Sequence, residues 1–130
     1  MSVQPRTAQI ISVALADLAA ASDLLTNVSG NPAFATVTAA SALIVGDRVI
    51  AATNAGSSYA LTLPLASVAG AGYVFEIKKT DSNSNAIVVT AAGSDHIDGA
   101  TTKTLATQYD YLKIISDGVS SWLVFAAVLT

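Results

Sequence analysis

Cysteine is absent from the 130-residue chain, and with it go disulfides, thiolate nucleophiles and cysteine-ligated zinc. Charge is the next shortage. Only 12% of the residues are charged against 52% hydrophobic, and the mean hydropathy is +0.57, whereas a surface that faces only water carries roughly 25–35% charged residues. Part of the exterior is therefore expected to face protein, in an oligomer or a larger particle. Cations are scarcer still: 6 Lys and Arg against 9 Asp and Glu give a formal net charge of -3. With a pI near 4.7, no nucleic-acid surface is expected, since that needs clustered Lys and Arg. The one basic doublet, Lys78-Lys79, reads as a strand end.

Long apolar runs are missing as well. Leu24 to Gly46 lacks charge but is interrupted by Asn27, Ser29, Gly30, Asn31 and Pro32, which would break a membrane span of about 20 residues. No membrane partner is expected. The start, MSVQPRTAQ, has one Arg and no apolar stretch directly behind it, and the run Ile10 to Ala16 meets Asp17, so no signal peptide is expected either. At 13.1 kDa the chain fits one domain, 1–130, large enough to close a core without staples.

What is present is period-2 alternation. In Tyr73 to Lys78, the residues Tyr73, Phe75 and Ile77 share one face, and Glu76 and Lys78 the other, as a half-buried strand requires. Ala86 to Thr90 is β-branched and follows the polar run Asp81 to Asn85, so the two strands are expected to form a hairpin. From Tyr109 to Ser116, Tyr109, Tyr111, Lys113 and Ile115 alternate with Asp110, Leu112 and Ile114. Asp117-Gly118 then suits a turn, and Trp122 to Leu129 returns as the last strand. Upstream, Leu43 to Val45 and Arg48 to Ala52 flank Gly46-Asp47, and Tyr59 to Leu63 runs into Pro64, where a strand must end. Many short strands between turn residues indicate an all-β fold, an antiparallel β-sandwich or jelly-roll-like barrel. Residues 8–28 are ambiguous. Alternation favours a strand from Ala8 to Leu15, with a helical turn near Asp17 to Ser22. Residues 1–7 have no pattern and are expected to be an N-terminal arm.

The chemistry on offer is thin. Ser94 to Ala100, SDHIDGA, holds the single histidine, His96, between Asp95 and Asp98. A metal site would want further ligands, and there is no second histidine. If the segment is extended, Asp95 and Ile97 share one side, His96 and Asp98 the other. Ile97 is then the inward residue, His96 points out, and Asp98-Gly99 is a dipeptide that type I′ turns favour. The segment reads as a bend, with no metal, cofactor or catalytic residue expected. No serine lies in a G-x-S-x-G context. Gly70-Ala71-Gly72 precedes a strand rather than a helix, unlike a phosphate-binding loop, and reads as a hairpin loop. Tyr59, Tyr73, Tyr109, Tyr111 and Trp122 could stack sugars, but strand positions favour packing.

Taken in order, Thr62-Leu63-Pro64, Ile77-Lys78-Lys79-Thr80, Val88-Val89-Thr90, Ile97-Asp98-Gly99, Leu105 with Gln108-Tyr109, and Ile115-Ser116-Asp117-Gly118 with Trp122 resemble a module of tailed-bacteriophage virion proteins. The resemblance covers about half the chain, Thr62 to Phe125, and places its signature on Ile97-Asp98-Gly99 rather than on His96. It implies a β-structured virion component, commonly a trimer, found in capsid decoration proteins and in tail-fibre segments. The expectation is a non-enzymatic decoration (cement) protein, a homotrimer on the outer capsid surface whose partners are its own copies and the major capsid protein. The alternatives are a small tail-fibre or baseplate trimer bound to tail proteins, and a carbohydrate-binding module. Pro64, Ile97, Asp98, Gly99, Tyr109, Asp117, Gly118 and Trp122 are expected to be its structural turn and core residues.

Overall fold

A computed structural model describes residues 31–54 and 56–130, of which Ala33–Thr130 form one compact unit. The expected arm, the strand Ala8 to Leu15, the turn near Asp17 and the start of the expected single domain lie outside the described residues.

Nearly every described element is a strand. In chain order they are β1 (Phe34–Val37), β2 (Ser41–Ala42), β3 (Val49–Ala52), β4 (Tyr59–Thr62), a single helical turn α1 (Ala66–Ala69), β5 (Val74–Lys79), β6 (Ile87–Thr90), β7 (His96–Ile97), β8 (Thr102–Leu105), β9 (Tyr111–Ser116) and β10 (Ser121–Val128). One sheet has the order β1-β3-β5-β9-β10-β7 and the other β2-β4-β6-β8. From β1 to β6 the chain alternates between sheets, so each new strand lies parallel to the one two before it. This is a flattened winding. It is closed by the antiparallel pairs β5–β9, β9–β10 and β6–β8.

That winding corrects two expectations. The sheets are mixed rather than antiparallel, and neither closes into a barrel. β5 and β6 are not a hairpin, because they belong to different sheets and pair with β3 and β9, and with β4 and β8, respectively. The reason is that alternation specifies which face is buried and says nothing about the partner strand. The polar run Asp81 to Asn85 makes a crossing between sheets instead of a tight turn. Gly70-Ala71-Gly72 is likewise not a hairpin loop; it follows α1 and leads into β5, with Gly70 and Gly72 at positive φ.

The predicted faces hold. Phe75, Ile77, Leu112, Ile114, Ile50 and Trp122 from the first sheet, and Leu61, Val89, Ile87 and Leu105 from the second, form one buried cluster. Trp122 is its largest member. Its ring lies 5.4 Å from Phe75, and its indole N–H donates to the carbonyl of Pro64 at 3.3 Å. Pro64 thus ends β4 as expected and also accepts the one polar atom of the buried tryptophan, which removes the cost of burying an unpaired donor.

The turn between β9 and β10 is built by its expected pair. One carboxylate oxygen of Asp117 accepts the amides of Val119, Ser120 and Ser121 at 2.8–3.0 Å, and these bonds hold its carboxyl below the usual range. Gly118 has φ 79, and a Cβ there would sit 2.7 Å from the amide nitrogen of Ala71. Glycine is required twice over, by conformation and by space. Gly118→Ala is expected to cost about 2–4 kcal/mol, read from thermal melting. Gly99→Ala, at φ 79 with nothing within 4 Å, should lose only about 1–2 kcal/mol.

Candidate interaction surface

SDHIDG is a bend. Asp98 and Gly99 both have positive φ, 47 and 79, and Ile97 and Ala100 exchange two backbone hydrogen bonds across them, the geometry of a type I′ turn. Ile97 is fully buried and His96 exposed. Asp95 is buried, and its carboxylate accepts the amide of Ala66 at 2.8 Å, tying the bend to the start of α1. Asp98 accepts the amide of Val124 at 3.0 Å, tying it to β10. Both carboxylates hold backbone, and neither orients the imidazole. His96→Ala is therefore expected to leave stability within about 0.5 kcal/mol, while Asp95→Ala, which orphans a buried amide, should cost about 1–3 kcal/mol. Among the described residues no group of three His, Asp or Glu side chains is placed to hold a metal.

The aromatic residues fare unevenly as a sugar platform. Trp122 is buried. Tyr59 donates to the carbonyls of Val37 and Thr53, Tyr73 to that of Asp47, and Tyr111 to Glu76. Burial, then the hydrogen bond and charge of Glu76, push the Tyr111 hydroxyl up to about 12. Tyr109 differs from expectation. It precedes β9 in a turn at φ 70, is 59% exposed, and lies against the ammonium of Lys78 at 5.3 Å.

The strand ends fall into two groups. At the end where β5 finishes, the loops are knitted by polar side chains that sequence reasoning missed. Lys79 is fully buried; its ammonium pairs with the carboxylate of Asp81 and donates to the carbonyl of Asn83 at 3.0 Å. Asp81 also accepts the amides of Asn54 and Asn83, and the Asn83 side chain reaches the carbonyl of Asn54. Asp110, also buried, gathers the amides of Ala106 and Thr107 and both the amide and hydroxyl of Thr130. Burial raises both carboxyls, but the hydrogen bonds outweigh it, with the Lys79 charge adding at Asp81, and hold them below the ordinary 3.8. Folded values below unfolded ones mean that the stabilisation is full above that range and is lost as pH falls through and below it. Melting temperature is expected to fall steeply from pH 4 towards pH 2 and less in Asp110→Asn. Two shallow depressions of about 350 and 390 Å³ lie among these loops, one beside Asn54 and Ser57, the other between Ser82, Ser84, Thr107 and Gln108.

Apart from Tyr109 and from Phe34 on β1, the large exposed apolar side chains fall into two regions. One region is the loops at the opposite end, with Ile44 at 62%, Val68 at 66% and Val119 at 71% exposure, joined by Val45 and Leu65. The other is β10 and the residue after it, where Leu123, Phe125, Val128 and Leu129 are exposed. The low charge of the sequence signalled apolar surface of this kind but could not say where it lies. No family model matches the chain, and no curated protein matches it.

Proposed function

We propose that the chain is a non-enzymatic structural protein of a tailed-bacteriophage virion, a capsid decoration protein that sits as a homotrimer on the outer face of the head, against the major capsid protein. The observation that carries this reading is the pair of exposed apolar regions on a chain with only 12% charged residues. A subunit that packs against its own copies and also against a shell needs surface for each. A monomer in water gains nothing from either.

The virion resemblance supports the same reading through the jobs its motifs do. Thr62-Leu63-Pro64 ends β4, Ile77 and Val89 fill the core, Ile97-Asp98-Gly99 makes the bend, and Asp117-Gly118 makes the last turn. These are positions that fold a scaffold rather than bind a ligand, and two sheets over one core suit a sandwich-like subunit. Stabilisation would be passive. Apolar burial contributes roughly 25 cal/mol per Å² before association costs, so an interface of about 1,600 Å², repeated over a shell, opposes expansion. Multivalent attachment strengthens it further. Cryo-EM of purified virions tests the placement: density for this unit in threes on the head is expected, and density confined to tails would move the protein to a tail-fibre or baseplate role.

A further inference from the structure

We infer that β10 is the strand through which copies of this chain meet, with Phe125 and Val128 packed against the same strand of neighbouring copies; this rests on the proposed homotrimer and names its interface. Where identical chains converge on a symmetry axis, each side chain near the axis meets its own kind, so any charge there faces a like charge. β10 meets that requirement. From Ser121 to Thr130 there is no charged residue, whereas β5 carries Glu76, Lys78 and Lys79, and β9 carries Lys113. β1, at the opposite edge of the same sheet, is uncharged too, but it has four residues and one large exposed side chain, Phe34.

The edge of β10 is also shaped for closed association. β7 pairs only with Ser121 and Trp122, so from Leu123 onward no described strand pairs with that edge. Such an edge invites unlimited strand addition unless it is blunted. Here the register shifts between Val124 and Ala126, an irregularity of the β-bulge kind, which bends a strand away from flat pairing. Asp98 occupies the amide of Val124, and Asp110 holds Thr130. The strand is therefore held at Val124 and just past its far end, at Thr130, and is irregular between them, while Phe125, at 65% exposure, and Val128, at 55%, are exposed on it. Side-chain packing among a few copies satisfies this surface, and a growing sheet does not.

The chain's lack of cysteine makes the test clean. Phe125→Cys and Val119→Cys, the latter in the loop region, are each treated with a short bismaleimide on the full chain. Covalent dimers through position 125 and none through 119 are expected. Phe125→Asp should sediment as a 13.1 kDa monomer with an unchanged circular dichroism spectrum, while Val119→Asp keeps the wild-type mass. A trimeric wild type that cross-links through 119 but not through 125 would overturn the β10 assignment and leave the virion reading standing. A monomeric wild type would overturn the trimer itself.

Discussion

Trp122→Ala is expected to destabilise the fold by about 3–5 kcal/mol, a fall in Tm on the order of 15 °C. The indole is fully buried where β5 and β10 meet the end of β4, in contact with Phe75 and hydrogen-bonded to Pro64. Truncation removes the largest apolar side chain of the core and leaves a cavity whose walls belong to both sheets, so neither can relax into it alone. The carbonyl of Pro64 loses its donor as well. Trp122→Phe weights the second contribution, because it deletes the N–H but keeps an aromatic ring and most of the volume; a loss of about 1–2 kcal/mol is expected. If Trp122→Ala melts within about 3 °C of the wild type, the two sheets do not share one core.

Asp81→Ala should cost as much, about 3–5 kcal/mol, by another route. Lys79 has no exposure to water, and its charge is tolerated because Asp81 faces it and backbone carbonyls complete its shell. Removing the carboxylate strands a buried ammonium, the expensive way to break an ion pair. The amides of Asn54 and Asn83 lose their acceptor too. The double variant Lys79→Met, Asp81→Asn buries no charge and is expected to recover more than half of the loss, measured by chemical denaturation. A double variant as unstable as Asp81→Ala would assign the whole effect to the loop's backbone bonds.

These two residues show where sequence is informative. Trp122, Ile97 and Phe75 could be placed inward from alternation and size, and His96 outward, because a strand's two faces follow from its period of two. Asp98-Gly99 and Asp117-Gly118 could be read as turns because the conformations they adopt suit few other residues. Lys79 could not be read. Alternation puts it on the Phe75 face, yet a lysine at a strand end is ordinarily solvated, and only the folded loop reveals that Asp81 closes over it. Asp110 escaped for the same reason: its ligands come from Ala106, Thr107 and Thr130, and the last of these is brought near only by the return of β10. Strand partners were hidden as well, since β3 and β5 join across the 27 positions that separate Val49 from Glu76, a spacing no local pattern encodes.

The physical claim beneath the function is that a charge-poor exterior is buried against identical copies. Sedimentation velocity of the full chain at micromolar concentration tests it most directly. A mass near three times 13.1 kDa is expected, stable on dilution across the micromolar range; a single species at 13.1 kDa would contradict it.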